Sequence, residues 1–260
     1  MPRHQREKSK SGYYHIMIRG NERKNIFQDE EDKFRFVETL YKKKQENRFS
    51  LHAFCLMDNH VHLMLREGEE DVATVMKRIT VSYVYYFNKK YKRVGHLFQD
   101  RFKSENVEDD GYVLALVRYI HQNPVRAGMV KSVSEYKWSS YNCYLNENNY
   151  FAKAIETETI LGLFSGDNRI AKKHFKEYME EEAQEEFIDL VGEVEVMDEE
   201  TAKELFETML SLGNNPDGNA KMQISDNLIK EFRKKTNLSI RKIAAISGLN
   251  KDKVNKMLKS

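Results

Sequence analysis

The chain has little cysteine and no long apolar segment. Its two cysteines, Cys55 and Cys143, form no C-x-x-C pair and no zinc-binding framework, so we expect reduced thiols. The first residues are polar and basic, unlike the apolar core of a secretory signal. No segment approaches the ~20 apolar residues that span a bilayer. These absences predict a cytoplasmic protein with no membrane partner.

Charge is nearly balanced overall but is unevenly distributed. The formal net charge is +2 over 260 residues, which does not by itself indicate a nucleic-acid-binding protein. Residues 177–204 are strongly acidic, whereas residues 229–260 are mostly basic. Segregated charge of this kind allows selected surfaces to bind a polyanion. The length allows a catalytic domain of about 150 residues followed by smaller parts.

Hydrophobic periodicity predicts the element order β-α-β-β-α-β in the first half of the chain. The predicted strands are 13–18, 51–57, 60–66 and 102–107, and the predicted helices are 29–46 and 71–90. This order is typical of an α+β, ferredoxin-like antiparallel sheet with its helices on one face, which leaves the other face open. A further helix over 109–123, ended by Pro124, would be added to this plan. We predict three parts: a catalytic domain (1–148), an acidic helical connector (149–220) and an all-α helix-turn-helix unit (221–260).

Two histidines alternate with apolar residues in the third predicted strand. Val61, Leu63 and Leu65 would be buried on one face, and His60 and His62 would point together to the other. A pair of neutral imidazoles suits a divalent cation. The alternative is a sheet face on which two histidines simply meet solvent or satisfy hydrogen bonds.

The predicted helix 109–123 carries a second candidate. Tyr112, Leu116, Tyr119 and Asn123 fall on one side of it, at spacings of four, three and four residues. One interpretation is a buried amphipathic stripe. The other makes Tyr119 a nucleophile and Asn123 either a third metal ligand or a nearby phosphate contact. An amide oxygen suits a hard cation such as Mg²⁺ or Mn²⁺.

Four segments resemble, in order, the motifs of the REP-associated tyrosine transposases, a branch of the single-tyrosine HUH transposases. The segments are SGYYHIMIRG (11–20), CLMDNHVHL (55–63), FQDRF (98–102) and RYIHQNPVRAG (118–128). The resemblance covers roughly residues 1–145. It implies that His60 and His62 bind the metal, with Asn123 as third ligand, and that Tyr119 forms a 5′-phosphotyrosine with single-stranded DNA, at hairpin-forming repeats. Such joining needs no ATP, and no G-x-x-x-x-G-K-[ST] loop is present.

Basic residues beside these motifs are candidates for holding DNA phosphates, although ordinary solvated surface is the alternative for several. They are Arg19, Arg101, Arg118 and Arg126. Residues 240–258 resemble a helix-turn-helix, with Gly248 at the turn and Lys251, Lys253 and Lys256 on the side that would face duplex DNA. The alternative there is a plain helical hairpin.

Together these features predict a metal-dependent transposase that cleaves and rejoins single-stranded DNA, as a monomer or a homodimer. A non-catalytic DNA-binding regulator derived from a transposase is the main alternative. A replication or plasmid-transfer nickase would share the chemistry, but no helicase-like domain follows the catalytic part.

Overall fold

The chain forms two compact units, Met1–Ile188 and Asp189–Ser260. The computed structural model describes residues 7–45, 48–181, 187, 199–212, 224–236, 238 and 240–259. None of the helices in these ranges combines the length and apolar character of a membrane span.

A four-stranded antiparallel sheet organises the first unit. Its strands are β1 (Tyr13–Arg19), β2 (Phe49–Leu56), β3 (His60–Glu67) and β4 (Lys103–Val107). They lie in the order β2-β3-β1-β4, and every neighbouring pair is antiparallel. Together with the intervening helices this is the ferredoxin-like arrangement, so the predicted fold class is confirmed.

Two long helices close the apolar side of the first unit. They are α1 (Glu30–Lys44) and α2 (Val72–Lys90). Each begins at an aspartate whose carboxylate accepts a backbone N–H of the first turn, Asp29 for α1 and Asp71 for α2. The two helices pack together through buried rings, with Phe36 and Tyr83 5.0 Å apart between centroids.

The opposite side of the sheet was expected to be open, but α3 (Asp110–Arg126) covers it and contacts β2 and β3. The predicted helix end at Pro124 was also wrong. Pro124 lies within the last turn, and the N–H of Ala127 still donates to the carbonyl of Asn123. Because the helix continues to Arg126, that residue lies two turns beyond Tyr119 on the same side.

The chain after α3 continues to pack on the first unit. Its helices there are α4 (Tyr141–Leu145), α5 (Glu158–Gly162) and α6 (Asn168–Glu180). Helix α6 buries Ala171, Phe175 and Met179, at helical spacing, and Phe175 stacks on Tyr144 with centroids 4.4 Å apart. Sequence analysis did not identify this apolar stripe because the surrounding region is rich in acidic residues. The region predicted as one connector, 149–220, is therefore divided between the two units rather than forming a separate spacer.

One buried histidine of α3 makes the stability of the first unit pH-dependent. His121 is fully buried, and its Nε2 lies 2.8 Å from the hydroxyl of Ser140. Burial lowers the pKa of His121 to about 3, whereas its pKa in the unfolded chain is about 6.5. Below pH ~6.5 this histidine therefore binds a proton in the unfolded chain but stays neutral in the folded protein. The free energy of unfolding then decreases as the pH falls towards 3.

We expect His121→Gln to reduce this acid sensitivity. Between pH 7.5 and 5.0 the wild-type histidine contributes a loss of about 2 kcal/mol in the free energy of unfolding, at about 1.4 kcal/mol per pH unit below 6.5. Urea unfolding followed through the single tryptophan, Trp138, reports on this unit. An equal pH-dependent loss in wild type and variant would contradict the assignment.

The second unit contains helices throughout its described residues. They are α7 (Glu199–Leu212), α8 (Asp226–Thr236), α9 (Ile240–Ser247) and α10 (Lys251–Lys259). Their apolar sides meet in a separate core that includes Phe206, Phe232, Ile243 and Val254. The unit therefore has the apolar interior expected of a small independent domain.

Candidate functional site

The pairing of β1 with β3 brings three histidines to one face of the sheet. Met17 lies opposite His62 and Arg19 opposite His60. Because side chains alternate along a strand, His15 of β1 points to the same face as His60 and His62. His15 and His62 are fully buried, and His60 is 8% exposed. The two predicted histidines thus share a face as expected, with His15 as a third member that sequence analysis missed.

Helix α3 places Tyr119 directly against this histidine group. The Tyr119 ring centroid lies 5.6 Å from that of His62 and 5.8 Å from that of His15, both in edge-on contact. Of the two histidines predicted to lie beside Tyr119, His62 is in ring contact with it, and the second ring in contact is that of His15. Tyr119 itself is only 1% exposed.

Hydrogen bonds set the tautomers of the two predicted ligands. His60 Nδ1 lies 2.6 Å from Asn59 Oδ1, an acceptor, so the proton is on Nδ1 and the lone pair on Nε2. His62 Nδ1 lies 3.0 Å from His15 Nε2, and His15 Nδ1 lies 3.6 Å from a carboxylate oxygen of Glu105. A protonated Nδ1 on His62 would direct its Nε2 lone pair away from His15, as second-shell groups do in metal sites.

The turn before His60 is held in place by the backbone around Gly20. The Gly20 N–H donates to the carbonyl of Asn59 over 2.8 Å. A Cβ added at Gly20 would lie 1.9 Å from the carbonyl oxygen of Lys24, so no other residue fits without moving the backbone. This close approach fixes Asn59 and, through it, the ring of His60.

The electrostatics around His62 favour its neutral form. Burial, followed by the neighbouring His15, His60 and Arg126, lowers the pKa of His62 well below its usual value. Its Nε2 is buried and has no hydrogen-bond partner among the described residues. A buried lone pair of this kind fits a metal ligand.

Asn123 is the third residue that could complete a metal site. Its amide Nδ2 donates to the Tyr119 carbonyl over 3.0 Å, one turn earlier on α3, so its Oδ1 is the atom that could coordinate a cation. Within the described ranges no three His, Cys, Asp or Glu side chains are grouped to bind a metal. A divalent cation bound here would therefore need a donor beyond those four residue types, and the amide oxygen of Asn123 is a chemical candidate.

An aromatic side chain from beyond α6 covers the nucleophile candidate. The Phe187 ring packs 4.8 Å from Tyr119, 5.1 Å from Tyr112 and 6.1 Å from His15, measured between centroids. Phe187 therefore contributes to the almost complete burial of Tyr119. No local sequence pattern pointed to Phe187, because it lies 68 residues after Tyr119 along the chain.

The arginines predicted to hold phosphates lie in different environments. Arg126 is exposed, and its guanidinium lies 5.1 Å over the Tyr119 ring. Arg19 is 7% exposed on the histidine face, and Arg101 is exposed in the loop before β4. Arg118 is as buried as Arg19, at 6% exposed, but it stacks on Tyr178 at 4.2 Å and pairs with Glu181 at 3.1 Å. Its packing against the end of α6 means that it does not line a free DNA surface as predicted.

Comparison with known proteins agrees with this geometry. Residues 8–123 match the family model for IS200-like transposases. A candidate REP-associated tyrosine transposase of Haemophilus influenzae is 29% identical over 156 residues, which are 55% of this chain and 86% of that protein. A REP-associated tyrosine transposase of Escherichia coli is 26% identical over 105 residues, which are 40% of this chain and 61% of that protein.

Among solved structures, a REP-associated tyrosine transposase bound to a REP hairpin aligns with a TM-score of 0.47 at 22% identity. The alignment covers 58% of this chain and 88% of that one. Residues 8–123 are therefore similar to the IS200-like transposases, and the resemblance to REP-associated tyrosine transposases noted in the motifs of the chain is confirmed.

Proposed function

We propose that this protein cleaves and rejoins single-stranded DNA beside hairpin-forming repeats, with Tyr119 as nucleophile and a divalent cation as cofactor. The observation that carries the proposal is the contact of the Tyr119 ring with His15 and His62 in a chain similar to the IS200-like transposases. Residues from two strands and a distant helix meet there, although nothing in simple core packing requires histidines at these positions.

The chemistry is a reversible transfer between oxygens on phosphorus. The Tyr119 Oη attacks the scissile phosphorus, the bond from phosphorus to the 3′-oxygen breaks, and the departing strand leaves as a 3′-hydroxyl after taking a proton. The 5′-phosphotyrosine retains the bond energy, so attack by another 3′-hydroxyl restores a phosphodiester without ATP. A phenol with a pKa of about 10 must lose its proton during the attack. The Arg126 guanidinium lies 5.1 Å over the Tyr119 ring, where it could contact the phosphate under attack.

The remaining residues bind and position. His60, His62 and Asn123 would hold Mg²⁺ or Mn²⁺, which would supply a Lewis acid for the charge that develops on the phosphate oxygens. His15 would orient His62 through the hydrogen bond between His15 Nε2 and His62 Nδ1, and Asn59 Oδ1 would do the same for His60 by accepting its Nδ1 proton. Arg19, at the edge of the same face, and exposed Arg126 are placed to contact phosphates of the strand.

The test is formation of a covalent adduct. A labelled hairpin with single-stranded flanks, incubated with the full chain and Mn²⁺ or Mg²⁺, should yield a protein–DNA band that survives denaturing electrophoresis, together with a product ending in a 3′-hydroxyl. Omitting the metal with EDTA should remove the band. A specific observation, the burial of Tyr119 under Phe187, favours the second candidate, a non-catalytic regulator, which would bind the hairpin tightly and yield no adduct with either metal.

We further propose that α9 and α10 form a helix-turn-helix that binds duplex DNA. Gly248 between them has φ +68°, which glycine adopts without strain, and Asn250 Oδ1 accepts the N–H of Lys253 to cap α10. Ile243 and Val254 are fully buried, while the lysines predicted to face DNA are exposed. They are Lys251, Lys253 and Lys256.

Replacing these three lysines together by glutamine is expected to weaken duplex binding. If each contacts a phosphate, the slope of log affinity against log salt should fall by about 2.7, at about 0.9 per phosphate. Fluorescence anisotropy with a 30-base-pair random-sequence duplex measures this slope. The matched control replaces three exposed basic residues of α8 in the same unit, Arg233, Lys234 and Lys235. An equal change in both variants would mean that only the net charge of the unit matters.

A further inference from the structure

A groove of the first unit lies outside the histidine site. It has a volume of about 960 Å³ and runs between the second half of α2 and the loop that leads to β4. Its apolar lining includes Val84, Leu97 and Phe98. Tyr85, on the α2 side, is 70% exposed, so a large aromatic ring stands at the groove without a covering partner. An exposed aromatic beside an apolar surface suits a flat ligand that stacks.

The groove is also basic. Lys89, Arg93 and Arg101 line it and are exposed, and only one acidic residue, Asp100, is among its described lining residues. The Asp100 carboxylate accepts the backbone N–H of Arg101 over 2.7 Å. The charge of the lining therefore favours an anionic ligand.

Hydrogen bonds fix the loop that forms one wall of the groove. The side-chain amide of Asn88 donates to the Gly95 carbonyl over 3.2 Å, and the N–H of Arg93 donates to the Asn88 carbonyl over 2.9 Å. Gly95 has φ +101°, a conformation that favours glycine. The wall is thus tied to α2 before any ligand binds, which lowers the entropic cost of binding.

The same wall is joined to the strand that faces His60. The N–H of Gln99 donates to the Arg19 carbonyl over 3.0 Å, and Gly20 forms a β-bridge with Phe98. Arg19 in turn lies opposite His60 in the sheet. A DNA strand that leaves the histidine site at this end of β1 would therefore pass directly to the groove.

We propose that this groove binds the unpaired DNA strand flanking the cleaved bond, with a base stacked on Tyr85 and phosphates on Lys89, Arg93 and Arg101. The proposal rests on the proposed function for its substrate. Stacking on an aromatic side chain requires an exposed base face, which a duplex hides and a single strand offers. An alternating aromatic and cationic lining is the arrangement that sequence-tolerant single-strand sites use.

The test measures binding in EDTA, so that it succeeds or fails independently of cleavage. Fluorescence anisotropy compares a blunt hairpin with the same hairpin carrying a five-nucleotide unpaired tail on its 5′ or 3′ side. We expect Tyr85→Ala to weaken binding of one tailed hairpin about tenfold, within the range typical of a lost base–aromatic stack, and Tyr85→Phe to retain the wild-type affinity. The double variant Lys89→Gln/Arg93→Gln should lower the salt slope for that hairpin by about 1.4, at about 0.7 per phosphate of a single strand.

Matched controls come from elsewhere in the same unit. Arg169 and Lys173 are both exposed residues of α6, four positions apart in sequence like Lys89 and Arg93, and Tyr150 is 58% exposed. Arg169→Gln/Lys173→Gln and Tyr150→Ala should leave tailed-hairpin affinity and salt slope unchanged. The proposal is overturned if Tyr85→Ala binds both tailed hairpins as wild type does. It is equally overturned if the groove variants weaken the blunt hairpin as much, since the occupant would then be the duplex stem.

Discussion

Replacing Tyr119 by phenylalanine is expected to abolish the covalent protein–DNA adduct. The change removes only the hydroxyl that would attack phosphorus, so the rate should fall about a thousandfold or more. The ring remains, so its contacts with His15, His62 and Phe187 persist. Hairpin binding should therefore be retained, and anisotropy in EDTA is the check that the variant still folds and binds.

A second tyrosine of the same helix provides the control. Tyr112 lies seven residues before Tyr119 on α3 and also packs against Phe187. Burial, together with a hydrogen bond to Glu105, raises the pKa of Tyr112, which makes it a poor nucleophile. Tyr112→Phe should keep the adduct. An adduct that persists in Tyr119→Phe and disappears in Tyr112→Phe would assign the nucleophile to Tyr112.

Local patterns were sufficient for the strands, the main helices and the placement of four candidate site residues. The alternation around His60 and His62 follows directly from the pleat, and the spacing of Tyr119 and Asn123 follows from the helix. Their meeting follows from the ferredoxin-like plan once α3 is placed on the histidine face. Here local periodicity and tertiary packing agree, which is why the element order could be predicted without coordinates.

Other features depend on contacts between distant segments, which periodicity does not encode. His15 joins the site because β1 pairs with β3 in one register, which brings its ring to His62 across 47 residues of chain. Arg118 neighbours Tyr119 in sequence, but the helix turns it by about 100° towards α6. There it stacks on Tyr178, so adjacency in a motif did not make it part of the same surface.

The apolar stripe of α6 shows that local composition can also mislead the prediction of domain boundaries. Three apolar residues among many charges were enough to dock that helix, because each is almost completely buried. Burying a side chain such as Phe175 contributes about 2 kcal/mol, whereas charges on the outer side of a helix cost little in water. The average composition therefore suggested a spacer over residues 149–180, whereas their apolar side chains pack in the core of the first unit.

Replacing His62 by phenylalanine is expected to remove both metal binding and cleavage. Phenylalanine keeps an aromatic ring between His15 and Tyr119 but offers no lone pair, so Mn²⁺ affinity, measured by calorimetry or by the loss of the free-ion paramagnetic resonance signal, should fall about a hundredfold or more. Adduct formation should fall by at least as much, since the Lewis acid that stabilises the phosphate charge would be lost.

His121→Gln is the matched control for this change. His121 is another fully buried histidine, but its Nε2 faces Ser140, and its ring contacts lie with Tyr141, Tyr144 and Phe175. It should retain Mn²⁺ binding and adduct formation at neutral pH. If His62→Phe retains wild-type Mn²⁺ affinity, the cation is not held by this imidazole. If the His62→Phe variant loses the metal but still forms the adduct, Tyr119 reacts without a Lewis acid. The contact between His15 and His62 would then have a packing role only.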